Sequence, residues 1–297
     1  MRVLVAGGTG RLGSSLVARL LRRSLEVRVL ARSPESAHLA DEVEVVAGDV
    51  RVPHTLVPAV VGVDTIVSAV HGLVGSGGVS PQTVDRDGNR NLVDAAAEAG
   101  CDLVLMSLVG ASPDHPMELA RMKYAAEEYA RASGVPTTIV RATAFTELWV
   151  DLLRQTAGRG GRPLVFGRGD NPINFVSVED VAALVEMAVM KPETRGSILE
   201  IGGPENITLN ELARATATGP GGPARPRHIS PIALRVMAAT LGNLRPQLGR
   251  QMRSSLLMDS MDLRFDGSAV HASYPDLPAT TVREVLARQS GHLTHDG

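Results

Sequence analysis

Cysteine is almost absent from this 297-residue chain. Cys101 stands alone, which excludes a disulfide framework and a thiolate metal cluster. Aromatic residues make up only 3%, and Lys123 and Lys191 are the only lysines among 30 lysine and arginine residues. No apolar run reaches the roughly eighteen residues needed to span a bilayer. Charge of one sign is lacking as well: a formal net charge of −2 offers no basic field to nucleic acid or to an anionic membrane. Histidines and carboxylates show no metal-ligand spacing, so no metal is expected, and no nucleophile-elbow pattern occurs. Met1-Arg2 runs straight into Val3-Leu4-Val5 and then glycines, without the shape of a signal peptide, so a cytoplasmic location is expected. What the chain does have is a core. Hydrophobic residues reach 44% against 21% charged, enough for one large α/β domain or a core domain with a smaller lobe.

Short apolar or β-branched runs alternate with helical patterns. Val3–Ala6, Val27–Leu30, Val43–Val46, Thr65–Val67, Leu103–Met106 and Thr138–Val140 read as strands buried on both faces. Helices are expected over 14–23, 53–60, 84–99 and 117–133. The alternation predicts a doubly wound parallel sheet of Rossmann type. Further on, Ile173–Val176 reads as a strand and Ser177 as the N-cap of an apolar helix to Met190. Ser197–Ile201 reads as another strand, and Thr208 and Glu211 have capping-box spacing. Residues 219–226 read as a Pro/Gly linker, and 230–263 as a helical, methionine-bearing segment suited to a pocket wall or to plain core.

Gly7-Gly8-Thr9-Gly10-Arg11-Leu12-Gly13 follows the first strand and opens a helix. Side chains at 7 and 10 would keep the backbone from a pyrophosphate, and one at 13 would hold the helix off the strand. The N–H groups of the helix start then face the phosphate oxygens. An NAD-preferring site places a carboxylate about twenty residues further on. Arg32 stands there instead, followed by Ser33, and its guanidinium suits the 2′-phosphate of NADP(H), with Arg11 nearby. After the third strand, Asp49 and Val50 are expected at the adenine, Asp49 against its amino group, with a simple turn as the alternative.

The order of these motifs resembles the atypical and extended short-chain dehydrogenases, especially the NmrA-like, NAD(P)-binding branch. The resemblance rests on Gly7–Gly13, Asp87-Gly88-Asn89-Arg90-Asn91-Leu92, Ser107, Lys123 before Ala125-Ala126-Glu127, Thr138–Arg141, Asn174–Ala182 and Gly202-Gly203-Pro204. It implies a dinucleotide-binding domain from residues 1–146 and 171–202 and a substrate lobe from 147–170 and 203–297. It also implies cofactor contacts from Ala69, Val70, Thr143 and Phe145 beside those already named. The family's chemistry usually rests on Tyr-x-x-x-Lys with a serine; Lys123 matches the lysine, but Leu119 stands where the tyrosine belongs. Asp85 similarly replaces a common asparagine. Lysine where arginine is otherwise used for positive charge points to a need for a compact ammonium.

The candidate catalytic residues are therefore Lys123, Ser107 at the end of the fifth strand and His71 after the fourth. The glycine-rich loop 72–81 could cover a substrate. The expected function is an NADPH-dependent reductase passing hydride to a small conjugated acceptor such as a quinone, enone or imine, which needs little help from a strong acid. The rival is a non-catalytic NADP(H) sensor of the NmrA type, and a homo-oligomer stays open. An NAD-retaining epimerase or dehydratase is disfavoured by both Arg32 and Leu119.

Overall fold

The computed structural model describes residues 1–73, 75, 77–157, 161–217, 225–240 and 245–293. They fall into two compact units, residues 1–142 with 181–200, and residues 143–180 with 201–297.

The first unit alternates strands and helices in chain order: β1 (Arg2–Ala6), α1 (Arg11–Arg22), β2 (Glu26–Ala31), β3 (Glu44–Ala47), α2 (Val57–Val60) and β4 (Thr65–Ser68). A π-helical stretch, Pro81–Gly88, runs into α3 (Asn89–Ala99), followed by β5 (Asp102–Leu108), α4 (Glu118–Ser133) and β6 (Thr137–Ala142). Val3, Leu4, Val5 and Ala6 are all 0% exposed, as a strand covered on both faces requires. Neighbours from β6 to β3 pair in parallel, with Val5 opposite both Val29 and Val67.

Two later elements span the boundary between the units, α6 (Val178–Met190) and β10 (Ile198–Ile201), after β7 (Ala144–Phe145), α5 (Thr146–Ala157), β8 (Leu164–Phe166) and β9 (Pro172–Val176). The large sheet has the order β10-β6-β5-β4-β1-β2-β3. Strand order therefore reverses beside β1, and the carboxyl ends of β1 and β4 flank the switch point where open α/β sheets bind ligands.

Three expected elements differ in winding. Residues 53–60 form a 3₁₀ turn and then the four-residue α2, because Pro53 and Pro58 interrupt the backbone donors. The expected helix over 84–99 begins earlier, at Pro81, and starts π-wound. The segment 230–263 holds two helices rather than one, α8 (Pro231–Thr240) and α9 (Pro246–Met258), the second opening with proline at its first position.

In the second unit a three-stranded sheet, β11-β9-β7, uses β11 (Asn206–Thr208), and a two-stranded one pairs β8 with β12 (Arg227–Ile229). Residues 171–180 were expected with the dinucleotide domain, but β9 pairs with β7 and β11 and so belongs to this unit. Its core gathers Val150, Leu153, Phe175 and Leu212 from α5, β9 and α7 (Leu209–Thr216), with Trp149 edge-on to Phe175. The chain ends with α10 (Ser268–Ser273) and α11 (Val282–Leu293). Met252 packs with Leu234 and Ala238, so the methionine-bearing segment contributes to core. Ser177 caps α6 by accepting from the Glu179 N–H, and Thr208 and Glu211 form their capping box. Of the expected linker 219–226, residues 219–224 lie outside the described residues.

Candidate functional site

At the carboxyl end of β1 the chain turns through Gly7, whose φ of +89° lies in the region that favours glycine. A side chain there would also meet the Ala69 carbonyl oxygen at 2.8 Å. A Cβ on Gly13 would lie 2.1 Å from the Gly7 oxygen, so α1 can approach β1 only because residue 13 has none. Gly10 differs: its Cβ would meet only the Gly7 oxygen, at 3.2 Å, and otherwise face open space. Gly10 is also the N-cap of α1, with no side chain closing the helix end. The helical ladder starts with Ser14 N–H to Gly10 O, so the N–H groups of Arg11, Leu12 and Gly13 precede it. Leu12 is buried, so only its backbone can reach a ligand, whereas Thr9 and Arg11 are exposed. A cradle of backbone with an open helix end fits a dinucleotide pyrophosphate.

Arg32 and Ser33 are exposed at the end of β2. Asp49, expected at the adenine amino group, has another partner. Its carboxylate takes the Arg51 guanidinium at 2.6 Å and the Arg51 N–H at 2.9 Å. Those hydrogen bonds, with a weaker contribution from the Arg32 charge, hold the Asp49 carboxyl below the usual carboxylate range. The Val50 side chain is 7% exposed and belongs to the core. Arg51, not singled out in the sequence, also donates to Gly77 O at 3.2 Å.

The end of β4 is built from side chains. Ala69 N–H donates to Ala6 O at 2.8 Å, joining this edge to the glycine loop. Lys123, on α4, is buried rather than displayed on the helix surface. Its Nζ donates to Val70 O at 2.8 Å and lies 3.0 Å from Asp85 Oδ1. The second carboxylate oxygen of Asp85 accepts the Gly72 N–H at 2.8 Å. Asn89 Nδ2 donates to Asp85 O, and Ser68 Oγ donates to Asn89 Oδ1. His71 sits between these anchors and is exposed. Its ring is pushed below the ordinary histidine range by the surrounding protein and by the Lys123 ammonium, against an opposing pull from Asp85.

On the neighbouring strand, Ser107 is 3% exposed and its hydroxyl has no hydrogen-bond partner among the described residues. Buried polar atoms are nearly always paired, and this hydroxyl stands out at the carboxyl end of its strand. Leu119, one turn before Lys123, is 8% exposed and packed.

The first unit thus brings Val70, His71 and Lys123 together around Asp85, a residue that the sequence flags only as a departure. Thr143 and Phe145 belong to the second unit, where the Thr143 hydroxyl donates to Asn174 Oδ1 at 2.9 Å and Phe145, in β7, pairs with Val176 of β9. In the loop 72–81, residues 74 and 76 lie outside the described residues, while Ser80 and Thr83 form a capping box. Among the described residues no group of three histidine, cysteine or acidic side chains could hold a metal, and no helix is long and apolar enough to cross a membrane.

A family described as NAD(P)H-binding matches residues 7–192. An NAD(P)H azoreductase of Xenophilus azovorans is 30% identical over 230 residues, with 75% of each chain covered. A photosystem II assembly factor of Trieres chinensis is 24% identical over 247 residues, covering 82% of this chain and 76% of that one. Among solved structures, an NADPH-dependent quinone oxidoreductase of Escherichia coli superposes with a TM-score of 0.76 at 22% identity, over 97% of this chain and 99% of that one.

Proposed function

The chain belongs to the NAD(P)H-binding family, and on that premise we propose that it is an NADPH-dependent reductase that passes hydride to a small conjugated acceptor. The observation that carries this reading is the buried Ser107 hydroxyl, without a partner among the described residues, at the end of β5, the strand beside β4, just after which Val70 O accepts from Lys123. An unpaired buried hydroxyl costs about 1–3 kcal/mol, a cost that a bound acceptor taking its hydrogen bond would offset. The dinucleotide supplies the hydride when bound. The glycine loop and the N–H groups of Arg11, Leu12 and Gly13 hold its phosphates, and Arg32 favours the 2′-phosphate. Lys123 holds the nicotinamide ribose, while Ser107 donates to the acceptor. With Leu119 in place of a phenol, an apolar side chain stands where the family's usual proton donor would be, which suits quinones, enones and imines. The names of the azoreductase and quinone oxidoreductase relatives point the same way.

The assembly-factor relative keeps a second reading in view, a protein that binds the dinucleotide without turnover. NADPH oxidation against a panel of quinones, enones and iminium dyes separates the two. A reductase oxidises NADPH with at least one member. Lys123→Met then lowers kcat by about a hundredfold, more than it lowers NADPH affinity, as expected for a contact strengthened in the transition state. NADPH binding with no acceptor reduced in the panel would hand the case to the non-catalytic reading.

A further inference from the structure

An ammonium group has three N–H donors. In Lys123, Val70 O takes one at 2.8 Å and Asp85 Oδ1 stands 3.0 Å from the same nitrogen; among the described residues no third partner is present. The side chains are 5% and 0% exposed, so both charges are withdrawn from water. Stability does not explain such a pair, because well-packed apolar residues of similar volume commonly do as well or better. Asp85 also has a second engagement, accepting the Gly72 N–H, while Asn89 fixes its backbone carbonyl. One carboxylate thereby faces the Lys123 ammonium with one oxygen, as an ion pair without hydrogen-bond geometry, and accepts from the backbone just after His71 with the other.

We infer that Asp85 is the positioning residue of this site, holding the Lys123 ammonium in place by charge so that Lys123 keeps N–H donors for the bound dinucleotide. The inference rests on Lys123 facing the cofactor, as proposed above. It gives Asp85 no contact of its own with the ligand, so the whole effect of Asp85 on binding passes through Lys123.

Calorimetry with NADPH on the parent, Asp85→Asn, Lys123→Met and the double variant tests this. Asp85→Asn keeps the shape and removes the charge, and weakens NADPH by about tenfold. The double variant binds no more weakly than Lys123→Met alone, because groups acting as one unit do not contribute additively. The charged groups facing His71 are Lys123 from α4 and Asp85 from the π-helical stretch. In NMR titrations the His71 midpoint therefore falls in Asp85→Asn and rises in Lys123→Met, which a structural brace distant from the ring would not produce.

Unchanged NADPH affinity in Asp85→Asn overturns the inference, as do losses that multiply in the double variant. If Asp85→Asn alone does not fold, the double variant, which buries neither charge, carries the comparison against Lys123→Met; binding weaker by more than about threefold overturns it. A parent that binds no NADPH defeats the functional reading and this inference together. A parent that binds NADPH while the losses multiply defeats this inference alone.

Discussion

The two sides of the switch point are made of different material. Beside β1 the surface offered to a ligand is backbone: Gly7, Gly10, Gly13 and the uncapped start of α1. Beside β4 and β5 it is side chain: a buried ion pair, an exposed imidazole and an orphaned hydroxyl. A site made of backbone must be written into consecutive residues, since glycine spacing decides where the chain turns and how near a helix comes. A site made of side chains can be assembled from residues far apart. The glycine loop can therefore hold the same phosphates in many proteins, while the far side sets what each one does with them.

The sharpest way to break this contrast lies within the loop. Gly10→Val should abolish NADPH binding while the protein still folds, because its side chain meets almost nothing but the ligand's space. Gly13→Val should instead cost the fold about 1–3 kcal/mol or more, because its Cβ would overlap the Gly7 carbonyl. Thermal melts with and without NADPH read both effects. A Gly10→Val protein still stabilised by NADPH would remove the loop from the binding site.

A smaller effect is expected at the outer edge, where Arg32 is exposed. Arg32→Asp should reduce the preference for NADPH over NADH by roughly 1–3 kcal/mol, by removing one charge-assisted contact and adding a repulsion. Calorimetry with the two dinucleotides measures it; equal affinities in the parent would end the assignment.

The smallest change in stability sharpens the side-chain half. Ser107→Ala removes an unpaired buried hydroxyl, so the unliganded protein should melt at the same temperature or slightly higher. NADPH-dependent reduction should meanwhile fall by about tenfold or more. A lowered melting temperature with intact turnover would make Ser107 a structural residue.

The same contrast explains what the sequence made legible. Continuous apolar runs such as Val3–Ala6 mark strands covered on both faces, and the glycines of 7–13 mark a turn, because each signal is local. Residues 171–180 were harder to place: β9 reads as a strand, but nothing in Pro172–Val176 says which strands it pairs with. The pairing of Asp85 with Lys123 joins residues 38 positions apart. Its only sequence trace is that an aspartate replaces an asparagine while one of two lysines falls on the family position. The Asp49–Arg51 pair joins residues two positions apart just past a strand end, and it engages the carboxylate that the sequence pattern places at the adenine.

The winding of Pro81–Gly88 decides where Asp85 points. π turns are rare, occur mostly as single turns within α-helices, and are frequent at functional sites. A chain one residue shorter between Asp85 and Asn89 could wind regularly into α3. It would also swing Asp85 by about 100° around the helix axis, away from Lys123. The irregular turn therefore sets helical regularity against the placement of Asp85 beside Lys123.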